Sequence, residues 1–129
     1  MFLFSFTNLL KAFDLLYKKN DFKFKLILTL EPKDLIFLNS DQKSYIYSLG
    51  SQQYENIICL YEFIDYLIYP SIIESYGLPL IEAKLNKKKI IASDLNYVFD
   101  VCIPDYTFNP FDFKDLYRTL YSILVKNKL

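Results

Sequence analysis

An α/β fold, a parallel sheet with helices on both faces, is what this sequence predicts on three observations. Short apolar runs alternate with stretches of helical periodicity along the chain, without repeats or low-complexity linkers. The runs, such as Phe24 to Leu30 and Tyr66 to Tyr69, are nearly continuous in apolar residues, as strands buried on both faces are. One of them leads through a glycine-containing loop into a helix that starts at a proline, and open α/β sheets take ligands at such strand ends.

Taken in order, Ser5 or Thr7 can cap a first helix running to about Lys19. Leu9, Leu10, Ala12, Phe13, Leu16 and Tyr17 form its apolar face, and Lys18 and Lys19 suit its negatively polarised carboxyl end. Asn20-Asp21 breaks it, and Phe24 to Leu30 follows as a strand. Glu31 to Ser44 is ambiguous, although Pro32 with Asp34, Leu35, Phe37 and Leu38 permits a short helix. Tyr45 to Leu49 is the next strand, closed by Gly50. Ser51 is a candidate cap for a helix from Tyr54 to Ile64, whose inward face is Ile57, Ile58, Tyr61 and Ile64.

The strand ending at Tyr69 stops at Pro70, which has no N–H for a ladder. A helix from Pro79 to about Asn86 turns Leu80, Ala83 and Leu85 inward. Lys89 to Ser93 is a strand, Val98 to Cys102 a helical turn, and Tyr106 to Phe108 a last small strand ended by Asn109-Pro110. Phe113 to Lys126 closes the chain as an amphipathic helix with Leu116, Leu120, Ile123 and Leu124 inward.

Composition narrows the function classes. A length of 129 residues, 53% of them hydrophobic and 19% aromatic, describes one folded domain, residues 1–129, rather than a disordered chain. Fifteen basic residues balance fifteen acidic ones, so the charge leaves no footprint for nucleic acid. Histidine is absent, which removes histidine bases and His-ligated metals from this chain's chemistry. Cys59 and Cys102 are far apart without a CxxC spacing and read as buried thiols of a reducing cytoplasm. The apolar start Met1 to Phe6 lacks a basic leader and does not read as a signal peptide. Glu62, Asp65 and Pro70 interrupt the most apolar window, Ile57 to Ile73, which therefore does not read as a membrane span.

The chemistry concentrates in Pro70-Ser71-Ile72-Ile73-Glu74-Ser75-Tyr76-Gly77-Leu78-Pro79-Leu80-Ile81-Glu82-Ala83. Free backbone N–H groups of the loop and the positive end of the following helix point to one spot and suit an anion. Two carboxylates, Glu74 and Glu82, stand eight positions apart across it. This stretch resembles the Glu-x7-Glu signature of the group 1 (family 4) glycosyltransferases, retaining nucleotide-sugar enzymes of the GT-B fold. The family wording is close to P-S-x-x-E-G-F-G-L-P-x-x-E-A, then a strand ending A-S-D, then E-V. Here Ser75 and Tyr76 replace glycine and phenylalanine, Ala92-Ser93-Asp94 ends the next strand, and Asp100-Val101 stands for Glu-Val. Upstream, Asn8-Leu9-Leu10-Lys11-Ala12-Phe13 resembles the family's N-L-L-x-A-F helix and Leu49-Gly50 its F-L-G strand end.

The resemblance implies a Rossmann-like domain equivalent to most of the C-terminal, donor-binding half of a GT-B glycosyltransferase. It implies that Glu74 lies against the donor sugar and its reacting centre as the catalytic carboxylate. Ser75, Tyr76, Gly77 and Leu78 would offer N–H groups to sugar and diphosphate, and Glu82 would hold the ribose hydroxyls. The donor, a nucleotide-diphosphate sugar, is a substrate; no cofactor and no metal is expected. A carboxylate accepts two hydrogen bonds from a cis-diol, which suits the Glu82 role; a solvated glutamate favoured by the helix dipole is the plainer reading. Ser93-Asp94 reads more simply as a strand end, and Lys87-Lys88-Lys89, where the family has glycine-x-proline, as a solvated turn.

One departure weighs on activity. The family's first strand and its basic diphosphate-binding loop precede the N-L-L helix, whereas here Met1 to Thr7 precedes it without Arg, Lys or Gly. Losing two phosphate cations weakens donor binding and leaving-group departure by roughly 2–4 kcal/mol each. The isolated chain is therefore expected to be inactive in hexosyl transfer and to need an N-terminal-half partner chain for its glycan or lipid-linked acceptor. Any membrane association would be peripheral, through that partner or a lipid acceptor. Met1 to Phe6 is expected to form a remnant of the absent central strand, or the domain to depend on a partner. The alternatives are a noncatalytic interaction subunit and a truncated relic of such an enzyme.

Overall fold

The structure, a computed structural model, describes residues 2–19, 22–72 and 76–128. Its elements are α1 (Phe2–Lys19), β1 (Leu26–Leu28), a 3₁₀ turn (Pro32–Leu35), α2 (Ser40–Tyr45), β2 (Ile46–Ser48) and α3 (Tyr54–Leu60). There follow β3 (Tyr66–Tyr69), α4 (Leu78–Leu85), β4 (Lys89–Ser93), α5 (Asn96–Val101), β5 (Tyr106–Phe108) and α6 (Phe113–Lys128). Strand and helix alternate as the sequence predicts, and the pairing is parallel: Leu26 with Ile46, Tyr66 with Lys89, and Ile91 with Tyr106 set the registers. The fold is α/β and consistent with a Rossmann-like arrangement. Its sheet is in two pieces, however, a two-stranded β1-β2 and a three-stranded β3-β4-β5.

Two apolar cores lie on opposite faces of the strands. The larger unites α1 (Phe6, Leu9, Leu10, Ala12, Phe13, Leu16), Leu35, Leu38 and Tyr45 with α6 (Leu116, Leu120, Ile123). Leu26, Ile46, Ile91 and Phe108 point into it from both sheets. Tyr61, Leu80, Ala83, Val98 and Cys102 form the smaller core with Tyr69, Ile90 and Ala92. Along β4 the side chains therefore alternate, Ile90 and Ala92 to one core and Ile91 to the other, as the twofold period of a strand requires. Helices cover both faces of the three-stranded sheet. On the smaller sheet Leu26 and Ile46 face α1, while Tyr47, of opposite orientation, is 45% exposed beside Lys25.

The helix α1 starts at Phe2, ahead of the expected Ser5 or Thr7 cap. Phe6, Leu9, Leu10, Phe13 and Leu16 recur at helical spacing and keep one stripe in the core, so the helical pattern extends towards Phe2. The expected remnant strand at Met1 to Phe6 is thus not formed by its described residues; Met1 itself lies outside them. Tyr17, expected inward, sits at the rim, its ring tilted 35° against that of Tyr45 with centres 5.1 Å apart, its hydroxyl accepting from Ser44 at 3.3 Å.

The ambiguous stretch after β1 resolves into the 3₁₀ turn begun by Pro32 and then α2. Asn39 caps α2 reciprocally: its side chain accepts the Gln42 N–H at 2.8 Å, and the Gln42 side chain accepts the Asn39 N–H at 3.0 Å. Asn39→Ala is expected to cost about 1 kcal/mol in urea denaturation, because a backbone donor at the helix start loses its acceptor.

Three further expectations are corrected. Ser51 is not the cap of α3; Gln53 holds that position without a side-chain bond, and the Ser51 N–H donates to Glu31 Oε1 at 2.9 Å. The α3 helix stops at Leu60 because Glu62 and Phe63 bond three residues back, tightening the chain into turns before Ile64. Leu85 is 77% exposed: five residues beyond Leu80 rotates it off the Leu80–Ala83 stripe. Of the cysteines, Cys102 is buried as expected and Cys59 is exposed. Burial pushes the Cys102 thiol above its ordinary pKa, keeping it neutral. Among the described residues no helix is long and apolar enough to cross a membrane.

Candidate functional site

The loop between β3 and α4 stands at the carboxyl end of the three-stranded sheet. Its first part is anchored: the Tyr97 hydroxyl of α5 donates to the Ser71 carbonyl, and buried Ser93 Oγ, at the end of β4, donates to the Tyr69 carbonyl at 3.4 Å. Glu74 and Ser75, expected to meet the sugar and diphosphate, lie outside the described residues. Tyr76 is 75% exposed and precedes Gly77, which is buried.

Gly77 is the N-cap of α4 in the left-handed region, φ 61 and ψ 40. Its carbonyl accepts from the Leu80 N–H at 3.0 Å and the Ile81 N–H at 3.3 Å, opening the helix. The N–H groups of Gly77 and Leu78 stand ahead of the helix's own ladder, and Pro79 has no N–H to place there. A Cβ on Gly77 would lie 3.3 Å from Leu80 Cδ1 and 3.5 Å from Val101 Cγ2. Gly77→Ala is therefore expected to lose about 1–2 kcal/mol in denaturation, from the left-handed backbone with a tight contact added.

Glu82 projects from the second turn of α4 and is half-buried. Its Oε2 accepts from the Tyr61 hydroxyl at 3.2 Å, and the same hydroxyl lies 3.2 Å from the Pro79 carbonyl. One proton serves two acceptors, so Tyr61 ties the carboxylate to the first turn of the helix that carries it. Burial, then the negative charge of Glu82, pushes the Tyr61 hydroxyl well above the usual phenol range, and it remains a donor at neutral pH. Gly77, Leu78 and Glu82 thus share the start of one helix, which combines backbone donors, a positive helix end and an oriented carboxylate.

Tyr61 is the residue that the sequence reading missed as part of this site. Its place on an inward helical face was legible, and a buried tyrosine hydroxyl usually has a partner. Nothing in the linear order pairs it with a carboxylate 21 positions away.

Asp94 is exposed; its N–H donates to the Phe108 carbonyl at 2.8 Å and prolongs the β4–β5 pairing, a strand-ending role. Lys87 takes a left-handed φ of 57 just beyond α4, where a glycine would close the helix without strain. Lys84, Lys87, Lys88 and Lys89 line a cavity of 380 Å³ with Cys102 and Asp105. That cavity opens at the amino end of β4, away from the Gly77 loop. Among the described residues no group of three or more acidic or sulfur side chains is placed to hold a metal ion. No protein-family model matches the chain, and no curated protein matches it.

Proposed function

We propose that the chain is a donor-binding domain of a sugar-transfer enzyme, taking a nucleotide-diphosphate sugar at the β3–α4 loop. The observation that carries this reading is the buried, left-handed Gly77 at the start of α4, with Glu82 held one turn further by Tyr61. The Gly77 and Leu78 N–H groups and the helix dipole meet diphosphate oxygens; the Tyr61-oriented Glu82 accepts from the ribose diol. Glu74 faces the sugar, where a carboxylate stabilises positive charge developing on the ring as the leaving group departs. Ser75 and Tyr76 complete the loop around the sugar and diphosphate. A partner bearing the acceptor site supplies the rest of the enzyme.

Titration with UDP, GDP and ADP, followed by NMR at the Gly77 and Leu78 amides, tests the site. One of the three is expected to shift both amides. Glu82→Gln is expected to cost about 1–3 kcal/mol of that affinity, the range for hydrogen bonds to a charged acceptor. Glu74→Gln leaves binding of the bare nucleotide unchanged and weakens only the sugar-bearing donor. Silence from all three nucleotides at millimolar concentration refutes nucleotide binding by the free chain. It favours a second reading, a noncatalytic interaction subunit, for which the divided sheet is the supporting observation.

A further inference from the structure

Basic and apolar side chains share the end of the three-stranded sheet opposite the Gly77 loop. The chain enters β3, β4 and β5 from α3, α4 and α5, and the parallel registers set the three strand starts side by side. Each of these connections carries one large apolar residue in solvent: Phe63 before β3, Leu85 at the close of α4, and Ile103 before β5. They are 79%, 77% and 87% exposed, more than any other large apolar side chain described except Ile36. A lone exposed leucine needs no account, whereas three such residues at one end of a sheet mark a surface.

Lysines surround them. Lys84, Lys87, Lys88 and Lys89 line the 380 Å³ cavity beside Cys102 together with Ile103. Lys87, Lys88 and Lys89 also line a second cavity of 380 Å³, on the side of Ile64, Asp65 and Tyr66. The Asn127 side-chain amide donates to the Tyr66 hydroxyl at 3.2 Å, which brings the end of α6 here, and the Lys126 ammonium lies 6.0 Å from the Tyr106 ring centre. Among the described residues none of these five lysines is in an ion pair. The acids on the same connections are Glu62, Asp65 and Asp105, and Asp105 Oδ2 accepts the Ile90 N–H at 2.8 Å. Basic charge is thus in local excess on a chain whose total is balanced. The negative end of α4 accounts for Lys84 and Lys87, but not for Lys88 and Lys89 beyond it or for the exposed apolar residues.

From this arrangement we infer that the amino end of the β3-β4-β5 sheet docks on an anionic lipid surface. The lysines meet lipid phosphates with their aliphatic stems along the interface, while Phe63, Leu85 and Ile103 enter the boundary between headgroups and acyl chains. Charge complementarity selects an anionic surface, and the apolar residues select a lipid one, since a soluble polyanion offers no apolar layer for Leu85 and Ile103. The Gly77 loop, at the other end of the strands, is left facing away from the lipid. The chain thereby has a membrane contact of its own, distinct from one made through a partner or an acceptor. This inference does not rest on the sugar-transfer reading.

The test uses the full chain and vesicles of phosphatidylcholine with or without an equal part of phosphatidylglycerol. The chain has no tryptophan, so Phe63→Trp supplies a single reporter at one of the three apolar residues. The protein is expected to sediment with the anionic vesicles at least tenfold better than with the neutral ones, with a blue shift of the indole emission. Lys87→Glu with Lys88→Glu, and separately Leu85→Ser with Ile103→Ser, are each expected to lower that binding tenfold or more. Lys33→Glu with Lys114→Glu makes the same change in net charge away from this surface and is expected to lower it less than threefold. Circular dichroism checks that each variant is folded. No binding to the anionic vesicles, equal binding to both kinds, or an equal loss in the Lys33 and Lys114 variant overturns the proposal. Binding with no blue shift that the Leu85 and Ile103 variant leaves unchanged also overturns it, and assigns the lysines to a soluble polyanion.

Discussion

Leu80→Ala is expected to destabilise the protein by about 2–5 kcal/mol, the cost of emptying a fully enclosed leucine site that cannot collapse around the void. Leu80 is fully buried, on the face of α4 that packs against Ile90 and Ala92, and its Cδ1 lies against the position of Gly77. The substitution therefore acts twice. Urea denaturation reads the loss of stability, and the Gly77 amide shift reads the loosening of the loop. A stability change below about 1 kcal/mol would mean that α4 does not pack on the sheet as described.

Alkaline unfolding is expected to be unusually steep for a chain of this size, and Tyr45→Phe to remove a large part of it. Burial, and then the charges of Asp14 and Asp41, push the Tyr45 hydroxyl up to about 12 from an ordinary 10. A folded-state pKa above the unfolded one gives a stabilisation that is full below pH 10 and is lost as pH rises through 12. The two-unit difference corresponds to about 3 kcal/mol. Tyr61 moves in the same direction for the same leading reason. The Tyr45 oxygen is also buried without a hydrogen-bond partner among the described residues, so Tyr45→Phe is expected to be neutral or stabilising at pH 7. Denaturation curves at pH 7, 10 and 11.5 for both proteins check the two statements together. A parallel fall in both proteins would remove Tyr45 as the cause.

Much of the architecture was legible in the residues, and what was not has identifiable physical reasons. Tyr66–Tyr69, Lys89–Ser93 and Tyr106–Phe108 coincide with their apolar runs because each is bounded by a proline, a charged turn or both. Helix boundaries were read less well. Ser5 and Thr7 are cap-type residues that lie inside α1 and so mark a false start, and α3 was cut short by three-residue turns that leave the hydrophobic pattern unbroken. The division of the sheet is invisible to periodicity, since a strand with one free edge has the same alternation as one with two neighbours. At the loop, the glycine requirement at Gly77 was readable from the strand-to-helix junction. The Tyr61–Glu82 contact was not, because it joins the turn after α3 to α4 through a hydroxyl.

The two cores differ in how much chain must exist before they can close. The smaller draws its buried residues from Tyr61 to Cys102, whereas the larger needs Phe6 and Ile123 together. The Asn8 side chain even donates to the Pro110 carbonyl, 102 positions away, at 2.9 Å. At a synthesis rate of roughly 5–20 residues per second, α1 waits on the order of 5–20 s for α6 to emerge from the ribosome. Through that interval the α1 stripe has only the earlier members of its core, such as Leu26, Leu35 and Tyr45, to pack on, whereas every buried residue of the smaller core has already been made. The core that holds the amino-terminal helix of this sequence is thus the later of the two to have all its residues, although it holds the earlier-made helix.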